Sequence, residues 1–239
     1  MNWKNIIRVF QIPDLRSKIL FVLGAFLVFR LMANIPIPSI DTEKLQAFFG
    51  GNQLLGLLNL FTGGALDNLS IVMLGVGPYI TATIVLQLLT MIFPALEKMY
   101  KEEGEAGRQR FNQYGRLLSV PFAFVQGYGL LTLLTRQQVI EPLSLLPTIG
   151  VLLTVTAGTI FLMWLGELIS EKGIGNGVSL IIFAGIVAEF PTSIRQLFLA
   201  WDASRLLPTV AFFAMSLFII AAVVFITEAR RNVPVSYAK

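Results

Sequence analysis

The amino-acid sequence predicts an all-α polytopic membrane protein of about six spans, and three observations carry that prediction. Of its 239 residues, 55% are hydrophobic and 13% charged, where a soluble domain carries about 25% charged residues. The apolar residues gather into six segments that come near the ~20 residues a membrane-spanning helix needs. Lysine and arginine alternate between rich and poor connections, the pattern of a chain that crosses a membrane repeatedly.

The first segment covers 19–33, carries Arg30 near one end and stops at Ile35-Pro36-Ile37-Pro38. A basic start followed by an apolar run also fits a secretory leader. No small-x-small cleavage site follows the run and further spans do, so a retained first helix is the better reading. The second segment, 69–93, is interrupted by Gly75, Gly77 and Pro78. The third runs from about 114 to 134 and the fourth from 149 to 168. The fifth, 178–190, is short and reaches a full span only if residues 173–177 help to start it. The sixth, 207–227, is the least interrupted.

Orientation follows from the loop charges. One set of connections holds Lys4, Arg8, Arg16 and Lys18 at the amino terminus and Lys98, Lys101, Arg108, Arg110 and Arg116 between spans two and three. It adds Lys172 between spans four and five, and Arg230, Arg231 and Lys239 in the tail. The alternate set holds only Lys44, Arg136, Arg195 and Arg205. Both ends are therefore expected on the cytoplasmic side.

The outer connections differ in kind. Residues 134–148 and 191–206 read as short loops, whereas 34–70 is longer and still apolar. Within it, residues 54–61 look helical, but at 1.5 Å per residue they cover about 12 Å, far short of a ~30 Å bilayer core. The run then breaks at Gly63-Gly64. Non-helical backbone at membrane depth survives only where protein buries it or water reaches it. That favours a re-entrant element beside a cavity. An interfacial amphipathic helix fits the same residues.

Chemistry is sparse. The chain has no His and no Cys, which removes disulfides, the usual zinc sites and His-based acid–base catalysis. No enzyme activity, cofactor or metal is expected. Gly173-Ile174-Gly175-Asn176-Gly177 resembles a nucleotide-binding glycine loop, but it joins two membrane helices and follows no strand. A helix-breaking turn is the better account. Intramembrane charges are functional candidates by default. Arg30 lies near a span end, where snorkelling to the interface is the simpler reading, and Glu167 and Glu189 also sit at helix ends. Val76 and Ile80 share one face of span two, and Val178 and Ile182 share one face of span five. Spacing alone gives these pairs no role beyond packing or lipid contact.

Several stretches together carry a resemblance. They are Phe29-Arg30 running into Ile35-Pro36-Ile37-Pro38, Leu60-Phe61-Thr62-Gly63-Gly64-Ala65-Leu66, Pro78-Tyr79-Ile80 and Gln87-Leu88-Leu89. Next come Lys101-Glu102-Glu103-Gly104-Glu105-Ala106-Gly107-Arg108, Gln113-Tyr114 and Phe161-Leu162-Met163-Trp164-Leu165-Gly166-Glu167. The last are the run 173–178, then Ile181-Ile182-Phe183-Ala184-Gly185-Ile186-Val187, down to Tyr237-Ala238-Lys239. In this order and spacing the chain resembles the SecY family, the channel subunits of the bacterial protein translocase.

The resemblance implies a SecY-like helix bundle and a set of roles. Leu57, Leu58, Asn59, Leu60, Phe61, Thr62, Gly63, Gly64, Ala65 and Leu66, within an element of about 54–66, fall where the family has the plug of an hourglass pore. Val76, Ile80, Val178 and Ile182 fall on its narrow apolar ring. Thr81, Ile84 and Gln87 lie on the helix forming one side of its lateral gate. Lys98, Lys101, Arg108 and Arg110, with Arg230 and Arg231 in the tail, fall where cytoplasmic partners dock. Implied partners are SecE-like and SecG-like small membrane subunits, a SecA-type motor ATPase, the ribosome, polypeptides bearing signal sequences, and membrane lipid. The implied location is the bacterial plasma membrane.

One departure is large. The family has ten spans in two inverted halves, and this chain matches the first five (1–190) plus an outer loop, one helix and the start of a cytoplasmic loop (191–239). The expectation is a piece of a longer protein, with four of the ring's usual six members and a sparsely packed sixth helix. Two other readings stay open: half of an inverted-repeat secondary transporter, which favours a buried polar site at mid-membrane, and a non-transporting membrane scaffold.

Overall fold

In a computed structural model, residues 12–37, 45, 48, 56, 59, 62–199 and 206–229 are described. Seven helices have defined bounds: α1 Pro13–Ala33, α2 Gly77–Leu89, α3 Pro94–Lys101, α4 Gly104–Arg136, α5 Leu145–Lys172, α6 Gly177–Leu199 and α7 Leu206–Glu228. The chain divides into two compact units, Met1–Pro191 and Thr192–Lys239.

In the first unit, α1 starts on Pro13 with Asp14 in its first turn and ends with Arg30 in its last. That charge order complements the helix dipole. The Asp14–Lys18 pair at 3.1 Å extends the helix back from the apolar run that begins near residue 19. Beyond α1 the backbone is irregular but not unpaired. Ile37 N–H donates to Leu69 C=O at 3.0 Å and Ile71 N–H to Ile35 C=O at 3.1 Å, flanking an antiparallel bridge between Pro36 and Ser70. The chain after α1 thus satisfies the non-helical stretch before α2.

That stretch corrects the second expected span. Residues 69–93 do not form one helix: 71–76 are turns, and regular helix begins at Gly77. Leu69, Ser70, Val72 and Met73 are fully buried, so protein covers this backbone, as apolar surroundings require. A Cβ on Gly158 of α5 would collide with the Ile71 carbonyl, so the glycine admits the turn segment against α5. α2 is then only 13 residues long, about 20 Å, and the chain bends by 110° into α3.

The connection expected between spans two and three is mostly helical, formed by α3 and the first turns of α4. At 33 residues, α4 is about 50 Å long and overreaches a ~30 Å bilayer core. Its buried stripe runs Gly107, Phe111, Gly115, Ser119, Ala123, Gly127, Leu131. This four-residue spacing of mostly small side chains lets helices approach closely. Gly115 faces Thr83 and Leu86 of α2, and Gly127 faces Leu152 of α5 and Leu74.

α5 is the central element, with buried positions from Val151 to Ile169 on the sides facing α1, α2 and α4. α6 is longer than the expected fifth span: it continues through Pro191 to Leu199, where a loop was expected. In the second unit, α7 covers the expected sixth span, and its large apolar side chains are exposed. α4, α5 and α7 are each long and apolar enough to cross a membrane, and the bent α2–α3 pair can count as a fourth span. The chain is a multi-pass membrane protein.

Candidate functional site: an apolar cluster beside a glycine break

The site is built where α1, the turns before α2, α5 and α6 converge. Ala25, Phe29 and Ala33 from α1 are buried with Ala65, Val72 and Val76 from the turn region, Leu162, Leu165 and Ile169 from α5, and Ile181 from α6. Ile80, Val178 and Ile182 pack, partly buried, against the same cluster. All four residues singled out on spans two and five therefore meet in one apolar body. Spacing had given only two separate helix faces.

The 173–177 turn positions half of this set. Gly177 N–H donates to the Ser170 hydroxyl at 2.8 Å and Ser179 N–H to the Asn176 side-chain oxygen at 3.1 Å. Both bonds satisfy helix-start donors that have no partner within α6. A Cβ on Gly177 would strike the Gly166 carbonyl, so the first turn of α6 lies directly on α5. This is a tight helix–helix turn, and Val178 and Ile182 follow from it.

On the other side of the cluster lies the glycine break. Of the ten residues matched to the plug, Leu57, Leu58, Leu60 and Phe61 lie outside the described residues. Asn59, Thr62, Gly63, Gly64, Ala65 and Leu66 lie within them. Gly63 and Gly64 have φ of +68° and +78°, a region other L residues enter only with strain. Gly64 N–H donates to Asn59 C=O at 3.0 Å. The Asn59 amide donates to the Asp67 carboxylate at 2.6 Å and accepts from Asp67 N–H at 3.1 Å. Thr62 Oγ1 donates to Asn59 C=O at 3.0 Å. Ala65 is fully buried in the apolar cluster and Leu66 in its neighbour, which includes Leu69, Met73, Leu131, Leu134 and Leu152.

Arg30 is placed differently from the snorkelling expectation. Its Nη1 donates to the Gly63 carbonyl, and its Nη2 lies 3.6 Å from Glu189 Oε1 of α6. The guanidinium therefore turns inward, between α1, the glycine break and α6. A second long-range pair joins Arg116 Nε of α4 to Glu167 Oε1 of α5 at 2.6 Å. Sequence reading located these charges at span ends but missed their pairings. The one available signal was that both carboxylates and Arg30 interrupt otherwise apolar runs.

The three residues matched to the lateral gate do not share one environment. Thr81 is half-buried, donates to Gly77 C=O at 3.0 Å and accepts from Gln126 Nε2 of α4 at 3.4 Å. Ile84 and Gln87 are exposed. Among the residues matched to partner docking, Lys98 and Lys101 lie on α3 and Arg108 and Arg110 on α4, all exposed. Lys101 pairs with Glu97 at 2.9 Å and Arg110 with Glu103 at 3.8 Å. Arg230 and Arg231 lie outside the described residues.

Known proteins resemble this chain in sequence and in fold. The SecY family model matches residues 70–239. The protein translocase subunit SecY of Streptomyces galbus is 42% identical over 250 residues, covering 97% of this chain and 56% of the relative. Those of Synechocystis and Thermotoga maritima are each 38% identical, covering 99% of this chain and 54% and 57% of the relatives. Among solved structures, Sec61 in the canine ribosome-channel complex from the endoplasmic reticulum matches with a TM-score of 0.58 at 20% identity, over 92% of this chain and 50% of that one. A structure described as a protein conducting channel matches with a TM-score of 0.50 at 23% identity, over 72% and 36%. These two likenesses concern the fold. The chain spans about half the length of the curated relatives it matches. With the family model matched over more than half of its residues, the chain belongs to the SecY family.

Proposed function

We propose that this chain supplies one wall of a protein-conducting channel in the bacterial plasma membrane. The channel passes unfolded polypeptides across the membrane and releases apolar segments sideways into lipid. The amino terminus is cytoplasmic. The observation that carries the reading is the convergence of Val76, Ile80, Val178 and Ile182 on one apolar cluster beside the Gly63-Gly64 break. An apolar constriction offers a hydrated ion no ligands and gates by dewetting. Branched aliphatic side chains make no directional bonds, so the same constriction yields around an extended polypeptide.

In this account residues 57–66 are the plug, and α2, with Thr81, Ile84 and Gln87, is one side of the lateral gate. A segment that reaches the gate partitions into lipid when it is sufficiently apolar, at about −0.3 to −0.6 kcal/mol per Leu or Ile. The exposed cations of α3 and early α4, with Arg230 and Arg231, are the docking surface for a motor ATPase or ribosome. SecE-like and SecG-like subunits complete the assembly.

The test is ion leak. Val76, Ile80, Val178 and Ile182 are replaced by Ser in the full-length protein, which is reconstituted in planar bilayers. Resting conductance is expected to rise, while Leu117→Ser, at a position 69% exposed on α4, leaves it unchanged. Wild-type conductance in the fourfold variant overturns the ring assignment.

A further inference from the structure

We infer that Arg30 and Glu189 form a charge clasp that holds the glycine break closed and so sets how readily the channel opens. They are specificity-determining residues for the proposed transport reaction, and the inference rests on the plug reading above. Three observations meet at this point. Arg30 donates to the Gly63 carbonyl and lies 3.6 Å from Glu189. The Glu189 carboxylate lies over Gly64, its Oε1 2.6 Å from where a Cβ on that residue would be. A Cβ on Gly63 would come within 2.8 Å of Gly185 Cα, one turn earlier on α6.

The two glycines are therefore held by one helix in two ways, Gly63 by backbone contact with Gly185 and Gly64 by the carboxylate above it. The guanidinium ties α1 to both. Movement of the break away from α6 separates Arg30 from either the Gly63 carbonyl or Glu189. With side-chain exposures of 39% for Arg30 and 23% for Glu189, the pair is open enough to salt for ionic strength to weaken it. Asp67 adds a second negative charge near Glu189, and Arg30 sets a cation against the Glu189 carboxylate beside the break. A clasp of this strength is a bias and not a lock. Exposed to partly buried pairs shift an equilibrium by roughly two- to fivefold.

The test uses the full-length protein and three variants: Glu189→Gln, Glu189→Asp and a deletion of residues 57–66. The readouts are resting open probability in planar bilayers and export of a reporter with a defective signal sequence. Glu189→Gln keeps size and hydrogen bonding but removes the charge, and is expected to raise both by about two- to fivefold. Glu189→Asp keeps the charge and is expected to return both toward wild type, a rescue that a merely space-filling role does not give. Raising salt from about 0.05 to 0.5 M should raise wild-type open probability and leave Glu189→Gln unmoved. If the deletion raises both readouts while Glu189→Gln matches wild type, the clasp is wrong and the plug reading stands. If the deletion changes neither readout, the plug reading fails and the clasp falls with it.

Discussion

Gly64→Ala tests the geometry of the break more sharply than any charge change. The residue has a φ of +78°, and holding a non-glycine L residue in the left-handed region costs about 1–2 kcal/mol. The new Cβ would also lie 2.6 Å from Glu189 Oε1. That oxygen ends a flexible side chain and moves easily, but moving it breaks the 3.6 Å approach to Arg30, adding about 0.2–1 kcal/mol. The closed break should therefore lose about 1–3 kcal/mol, a roughly 5- to 140-fold shift toward the open state at 1.4 kcal/mol per decade. The assay is resting open probability of the full-length protein, with and without Glu189→Ala. In the Glu189→Ala background the contact is gone and only the φ penalty remains, so Gly64→Ala should have a smaller effect there. Gly24→Ala is the control: a Cβ there meets nothing within 4 Å, and the helix gains slightly in propensity. A silent Gly64→Ala, or an equal effect in both backgrounds, refutes the reasoning.

Two further predictions concern stability. Arg116→Met strands Glu167, whose side chain is 19% exposed. It should lower the thermal midpoint in detergent by the equivalent of about 1–3 kcal/mol, and adding Glu167→Gln should recover part of that loss. Gly158→Ala must push the Ile71 carbonyl away from α5 with no flexible side chain to yield, and should cost about 1–3 kcal/mol by the same measurement.

How much of this was legible in the sequence depended on how local each determinant was. α7 is an uninterrupted apolar run, and its bounds follow from that run. α5 was equally plain, though it extends past the apolar window at 149–168 by Leu145–Thr148 at one end and the more polar Ile169–Lys172 at the other. α4 begins ten residues before the expected third span because helix formation does not require apolar residues, only membrane residence does. The break-up of the second span was signalled by Gly75, Gly77 and Pro78. Its consequence was not, because the backbone at 69–71 is satisfied by 35–37 and admitted by Gly158, all far away in sequence. α6 passes through Pro191, a residue that reads locally as a stop. Arg30 was misread for the same reason as the second span: its partners are 33 and 159 residues away. The pairs Val76/Ile80 and Val178/Ile182 were visible as helix faces, and their meeting draws on buried residues of α1 and α5 that lie far away in sequence.

The central claim is that a polypeptide in transit passes the cluster formed by Val76, Ile80, Val178 and Ile182. A photoactivatable amino acid placed at position 80 or 182 of the full-length protein, with a translocation intermediate arrested part-way, tests it directly. The account predicts cross-links from these positions to the arrested chain, dependent on its presence, and none from position 117 on the exposed face of α4. Cross-links to lipid alone from 80 and 182, or equal yields of arrested chain from 80, 182 and 117, would contradict it.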